Sequence, residues 1–562
     1  MNKNNNKSTL WSLFYEDEGY DINGERIMGR QAAGWSYLKA LIKDKPSKLS
    51  AYIRKDDQKE LFLEKVKSQL DKDDSLDIEF INYAEPHKSA PNGGLFVPGP
   101  GIGSFASHRS FFGHDRYSIV GITHTTASNA VMSGLESLAF SDVMPWDAII
   151  CTSDCVLDTV QKVLENKYNN LNKKFSINKP IYPQLPIIPL GVEKEEFEYS
   201  KTDKHNARRE LNINEDDIVI SYVGRLSFHA KAHHYPMYLA IAECSQYLKD
   251  GQRIHLIQTG WFANDWVKEA FVEEGKRICP DVIFHFLDGK DQANKHKTLA
   301  SADIFVSLSD NIQETFGITP IEGMASGLPV LVTDWDGYKS TVRDGVDGFR
   351  VKTISLGDGY GVDIAYHHLT GGLSYDQYIG MSVHRVAVDI KDCIEKLKFL
   401  ITNKDKRIEF GLNGKKRVDD VFDWPNILER YRELNLELNS IREKEANNFK
   451  EFCVPRLPGD RLDPFFLFSS YPSDILNNDT MLYRTELSTE IKIKDIYNFN
   501  SVNYASSYIP STDILEKIYK VFNDLGAVKL KKAVKELNLD EKTVFIATIW
   551  LLKYGFISIK KD

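Results

Sequence analysis

Two glutamates and two cations form a set suited to an anionic ligand that also carries hydroxyls. Glu314 and Glu322 are separated by seven residues within the segment Ser301–Arg350. Between them lies Phe316-Gly317-Ile318-Thr319-Pro320, where a buried strand gives way to a helix. Pro320 suits a first turn, and Gly327 followed by Pro329 stops the helix. Such a start leaves backbone N–H groups unpaired beside partial positive charge, which is what holds a phosphate. Glycine at 317 removes a side chain where a ligand would approach. Carboxylates on either side suit sugar hydroxyls, because each accepts directed hydrogen bonds. The cations are Arg225 and Lys231, in Val223-Gly-Arg-Leu-Ser-Phe-His-Ala-Lys231. They follow a predicted strand at its carboxyl end, where open α/β sheets bind ligands, and two cations there are able to neutralise a diphosphate without metal. Plainer readings stand beside these. Thr319 to Glu322 fits a capping box, Glu314 a solvated loop, and 225–231 an exposed basic loop.

Parallel α/β layers must position this set. In the first region Leu10–Tyr15, Ile78–Asn82, Leu95–Val97, Ser118–Thr123 and Ala148–Thr152 are expected as strands, alternating with amphipathic stretches such as Ala32–Leu41 and Lys59–Leu70. This region closes at Ile187–Gly191. After a polar linker, Glu193–Asp217, a second set follows: Ile218–Val223, Ile254–Thr259, Val282–Leu287, Asp303–Leu308 and Pro329–Thr333. Several are apolar on both faces, as for strands covered by helices on both sides. Ser355–Arg385, rich in Gly, Tyr and His, interrupts the second set as an inserted loop or hairpin. The expected division is 1–192 and 193–425 as two Rossmann-like domains, 426–450 as a crossover helix, 451–512 as an irregular linker and 513–562 as a small, mainly helical module.

Composition narrows the classes. A net charge of −9 with mixed signs argues against a dedicated nucleic-acid binder. The six cysteines are scattered and fit no common zinc spacing, so they read as buried apolar groups of a reducing compartment. Met1–Ser8 is polar and Asn-rich rather than a signal core, and no stretch reaches the ~18 apolar residues of a membrane helix. A cytoplasmic location without an integral membrane segment is expected.

Taken in order, Ile188-Pro-Leu-Gly-Val192, Val223-Gly-Arg225, Ser301-Ala-Asp303, Glu314-x-Phe316-Gly317, Glu322-Gly-Met-Ala-Ser-Gly-Leu-Pro329 and Asp344-Gly-Val-Asp-Gly348 resemble the retaining glycosyltransferases of the GT-B fold with an E-x7-E motif (glycosyl transferases group 1). The resemblance spans 187–437 well and the N-terminal half faintly. It implies two Rossmann-like domains facing a cleft, a nucleotide-diphosphate sugar as donor and no required cofactor or metal. By it, Glu314 contacts the donor sugar, Glu322 the ribose, Arg225 and Lys231 the diphosphate, and Gly224 and the amides of Phe316, Gly317 and Ile318 line the donor site. His124, in Gly121-Ile-Thr-His124, corresponds to the family's strand-end histidine near the transferred sugar; a satisfied core histidine is the plainer reading. Three features depart from the pattern. Arg225 to Lys231 is one residue longer and Ala232 replaces a glycine; Glu16–Asp21 is acidic where a Gly-Gly loop is expected; and Lys339 stands where Pro-Glu is common.

Two further signals read as other than metal sites: a structural or substrate-facing turn at Asp334–Asp336, and a surface or diphosphate-side role for His229, His233 and His234. Asp334-Trp-Asp336 imitates a metal-binding DxD but follows a strand, and the i, i+4 pair His229 and His233, with His234, has no adjacent third ligand. The tail Ile514–Asp562 resembles a winged helix whose last helix is mainly core, so it reads as a packing, oligomerisation or protein-binding module. The expected function is retaining, metal-independent hexosyl transfer to a glycan, lipid, small-molecule or protein acceptor. Epimerase or phosphorylase chemistry on the same fold, or a scaffold with a degenerate transferase domain, are the alternatives.

Overall fold

Runs of β-branched and aromatic residues, apolar on both faces, build two parallel sheets. The computed structural model describes residues 10–21, 29–71, 74–176, 180–459, 461–486 and 491–560; the Asn-rich segment 1–8 lies outside them. The first sheet holds β1 (Ser12–Phe14), β2 (Leu49–Ile53), β3 (Ile78–Asn82), β4 (Gly94–Val97), β5 (Ser118–Ile122) and β6 (Ala148–Ile150), in the order β3-β2-β1-β4-β5-β6. The second holds β7 (Ile218–Val223), β8 (Ile254–Gly260), β9 (Ile283–Asp288), β10 (Ile304–Ser307), β11 (Val330–Thr333) and β12 (Gly348–Val351), in the order β12-β11-β10-β7-β8-β9. All pairings within both are parallel. Each sheet therefore reverses its strand order beside its first strand, at β1/β4 and β7/β10, where carboxyl ends leave a crevice. These are the two Rossmann-like sheets expected from the sequence.

Two strands, β2 and β12, are additions to the expected set, and the polar stretch 193–217 is more than a linker. It contains a helix, Lys201–Glu210, started by a capping box at Ser200 and Asp203. Arg208 of that helix is buried and bonds Asp303 Oδ2 at 2.7 Å, Ser301 O at 3.1 Å and Glu215 O at 2.9 Å. Its charge is satisfied inside the fold, so a polar sequence packs as core. The inserted stretch forms two helices, Val362–Leu369 and Tyr375–Val383, between the antiparallel strands β13 (Thr353–Ser355) and β14 (Val386–Val388). Tyr375 Oη donates to Gln313 Oε1 at 3.3 Å, tying the insertion to the loop that carries Glu314.

The chain returns to the first sheet through helix Trp424–Glu445. Tyr431 of this helix lies within 5.6–6.0 Å of the rings of Trp11, Tyr37 and Phe96. Trp424 Nε1 donates to Ser36 Oγ at 2.8 Å, and Arg442 reaches Ser118 Oγ at 2.7 Å. A Cβ on Gly191 would lie 2.4 Å from the Trp424 ring, which explains the glycine there.

The chain divides into two compact units, Met1–Pro458 and Gly459–Asp562. The second has its own core of Leu515, Ile518, Phe522, Val544, Trp550 and Leu551, among others. Helices Thr512–Leu525, Leu530–Leu537 and Glu541–Lys553 pack with the antiparallel sheet β16-β15-β17, where β15 is Met481–Arg484, β16 Val528–Lys529 and β17 Ile557–Ile559. The central strand thus comes from the stretch 451–512 that reads as irregular. All six cysteines are free. Among the described residues no helix is long and apolar enough to cross a membrane.

One ion pair organises the start of β5 and β6. Arg109 and Asp147, both fully buried, meet in a bidentate contact of 2.6 and 2.7 Å. The carboxylate also accepts from the amides of Ile119 and Met144, each at 2.8 Å. Removing one partner strands a buried charge. Asp147→Ala is expected to destabilise the first unit by about 3–5 kcal/mol, read as a lowered denaturant midpoint; a shift under ~1 kcal/mol would show the pair to be dispensable.

Candidate functional site

Three strand ends of the second sheet close into a ledge. Gly224, at φ +149°, donates to Thr259 O at 3.0 Å, and Gly289 N donates to Gly260 O at 2.9 Å. A Cβ on Gly260 would lie 1.9 Å from Gly224 O, so these turns can approach only without side chains. Arg225 follows directly. Its Nη2 donates to Ala230 O at 2.8 Å and to Gln313 Oε1 at 3.2 Å, and its guanidinium carbon lies 5.8 Å from the Trp261 ring centroid.

Across the β7/β10 switch point, helix Ile318–Ala325 starts at Gly317, whose φ of +83° is left-handed. The glycine is required for a reason other than ligand approach. A Cβ there would lie 2.0 Å from Tyr338 Cε1, so the space belongs to the Tyr338 ring. The alternative reading, a capping box between Thr319 and Glu322, does not form. The cap is Gly317, with no side-chain bond, and Thr319 Oγ1 is buried without a partner among the described residues. Glu322 instead bonds Lys295 Nζ at 2.6 Å. Glu314 pairs with Lys231, and Tyr338 Oη donates to Glu314 Oε2 at 3.4 Å while bonding Ser307 Oγ at 2.8 Å.

The first sheet supplies the facing wall. His124 stands just past β5, half-buried, and its carbonyl accepts from Thr315 Oγ1 at 2.9 Å. Ser153 Oγ donates to Thr315 O at 2.9 Å. Thr315 thus ties the Glu314 loop to the opposite domain by both its side chain and its backbone. Burial, with a smaller contribution from Arg30, pushes the His124 imidazole down to about 4, so the ring is neutral at pH 7.

All nine residues singled out from the sequence line one cavity of about 270 Å³: His124, Gly224, Arg225, Lys231, Glu314, Phe316, Gly317, Ile318 and Glu322. Lys295, Gln313, Thr315 and Trp261 line it too and were missed by sequence reading. Lys295 lies one strand–helix unit away from the glutamate it contacts, and nothing local marks it. Asp336 is the second acid of the DxD-like run. It sits at φ +38° behind the cavity, and burial together with Glu314 raises its carboxyl to about 8. Asp334 faces Arg350 at 3.4 Å. His233 caps its own helix through Tyr235 N, His229 meets Ser227, and His234 pairs with Glu274 at 2.6 Å. Among the described residues no group of three or more His, Cys, Asp or Glu is placed to hold a metal ion.

Residues 203–355, which carry every one of these positions except His124, match the family model described as glycosyl transferases group 1. The D-inositol 3-phosphate glycosyltransferase of Kribbella flavida is 25% identical over 251 residues, covering 44% of this chain and 56% of that protein. The lipopolysaccharide 1,2-N-acetylglucosaminetransferase of Salmonella typhimurium is 23% identical over 253 residues, 44% of this chain and 55% of its own. The chain spans about half the length of the curated relatives it matches. Among solved structures, HepE of Anabaena in complex with UDP superposes with a TM-score of 0.48 at 15% identity, covering 76% of this chain and 98% of that one.

The depressed His124 sets a pH dependence. An unfolded chain takes up this proton near 6.5, the folded one only near 4, so acid between those values favours unfolding. The unfolding free energy of the wild type is expected to fall relative to that of His124→Asn between pH 6.5 and 4, with the two running parallel above pH 7. Parallel curves throughout would place the imidazole in solvent.

Proposed function

We propose that the chain is a glycosyltransferase that moves a sugar from a nucleotide-diphosphate donor to an acceptor with retention of configuration and without a metal ion. One observation carries this reading: Arg225, Lys231, Glu314, Glu322 and the unpaired amides of the 318–325 helix start converge on a single cavity at the sheet's switch point, with His124 opposite. The family match over 203–355 and relatives bearing the name glycosyltransferase support it for the donor half.

The chemistry follows from the charges. The bond from the anomeric carbon to the diphosphate oxygen breaks, leaving negative charge on the leaving group and positive charge on the sugar. Arg225, Lys231 and the helix amides stabilise the first. Lys231, held by Glu314, transfers its contact to the incoming phosphate, which frees Glu314 to accept from sugar hydroxyls. The acceptor hydroxyl attacks from the face the leaving group departs, and its proton passes to the leaving phosphate oxygen. Neutral His124 can donate to or accept from a sugar hydroxyl without adding charge beside the cationic centre.

Donor identity is tested by thermal shift against UDP-, GDP- and ADP-sugars; saturation at a hundredfold excess over Kd adds about 2.7 kcal/mol, a readable rise in Tm. With the donor found, Glu314→Ala and Lys231→Ala are each expected to lower kcat by about 100-fold or more. Transfer should persist in EDTA, and the product should keep the donor's anomeric configuration by NMR. Wild-type turnover in both variants, or loss of activity in EDTA, would defeat the reading.

A further inference from the structure

Residues 356–385 leave and rejoin the fold at one rung of a hairpin, because Ser355 of β13 pairs antiparallel with Val386 of β14. The stretch is an excursion that the connectivity of the remaining chain does not need. It is nonetheless anchored on both walls of the cleft. Ile379, fully buried, packs in one apolar cluster with Ala127, in the loop after β5 of the first sheet, and Ala230, in the loop after β7 of the second. Gly380 approaches the second loop so closely that a Cβ there would lie 3.3 Å from His229 Cβ.

Tyr375, in the first turn of helix Tyr375–Val383, carries the polar contact. Its hydroxyl donates to Gln313 Oε1 at 3.3 Å and also meets the side chain of Thr125 on the opposite wall. Gln313 Oε1 accepts at the same time from Arg225 Nη2 at 3.2 Å, and Ala230 O accepts from that nitrogen at 2.8 Å. Both bonds use one corner of the guanidinium. No acceptor among the described residues bonds Nε or Nη1, and both Arg225 and Gln313 line the cavity. A planar fork held at one corner keeps its remaining donors in a fixed direction, which suits a phosphate that takes paired N–H bonds.

We propose that the insertion is a strap across the donor cleft, and that Tyr375 is a positioning residue that acts through Gln313 to aim the free edge of Arg225 at the diphosphate. By tying both walls beside the cavity, the strap slows the release of a bound diphosphate. The inference rests on the reading that the cavity takes a nucleoside diphosphate. It adds a residue and a strap, and each can fail while that reading stands.

The test is calorimetric titration of the full chain with UDP, GDP and ADP, then a double-mutant cycle on whichever binds most tightly. Tyr375→Phe removes the hydroxyl, keeps the ring in its apolar cluster and should weaken binding about 3- to 10-fold, the value of one hydrogen bond. In an Arg225→Ala background the same substitution should cost less than about twofold, because the group it positions is gone. A general loss of structure would weaken binding alike in both backgrounds. Equal losses, or wild-type affinity in Tyr375→Phe, overturn the role of Tyr375. For the strap, residues 356–385 are replaced by Asn-Gly, which closes β13 and β14 as a two-residue hairpin. Stopped-flow displacement should show the diphosphate leaving this chain about tenfold faster than it leaves Tyr375→Phe. A rate no faster than that of Tyr375→Phe overturns the strap. If the shortened chain does not fold by thermal unfolding, Ile379→Ala, which loosens the contact with both walls, takes its place with the wild type as its reference. Binding of none of the three diphosphates by the wild type overturns the nucleotide reading and this inference with it.

Discussion

The charges that flank the helix start in this cleft are paired. Lys231 meets Glu314 and Lys295 meets Glu322, one pair near each flank of the same helix start, and Arg225 is bonded to a carbonyl and an amide oxygen. In a partly desolvated crevice an unpaired ion costs several kcal/mol, so pairing is what allows Glu314 and Glu322 to stand so close together with Lys231 and Lys295. The pairs also fix where each group stands before any ligand arrives, which lowers the ordering cost of binding.

The rest of the first unit serves to hold those groups in register. Glycines at the ends of β7, β8 and β9 let three turns stack closer than side chains permit, and that ledge presents Arg225. Tyr338 fills the space beside Gly317 and also bonds Ser307 and Glu314, so one ring determines both the backbone angle of the helix start and the setting of its first carboxylate. The inserted helices reach the same loop through Tyr375 and Gln313.

Much of this was legible in the sequence because it is local. Strand, loop, glycine and helix follow one another within 304–325, and the order of turn and cap residues marks their boundaries without tertiary information. The partners of those residues were not legible. Lys295 lies on a separate helix, while its partner Glu322 satisfies a capping pattern on paper, and the pattern loses because Gly317 moves the cap upstream. Arg208 made 193–217 look like linker because its partners, Asp303 and Ser301, are distant in sequence. β2 and β12 were missed as short apolar runs beside charged or glycine-rich flanks, which periodicity alone cannot separate from loop.

The two crossings between the sheets lie side by side. Val192 N donates to Phe422 O at 2.9 Å and Trp424 N to Val192 O at 3.3 Å, so both connections form a short two-stranded ribbon, packed tight because Gly191 has no side chain to part it from Trp424. Such a ribbon acts like the spine of a book: it resists sliding of one cover past the other and permits turning about a single line. Thr315, bonded to His124 and Ser153 on the opposite cover, is then one clasp, and Ser340, whose hydroxyl donates to Asp154 Oδ2 at 2.8 Å, is another.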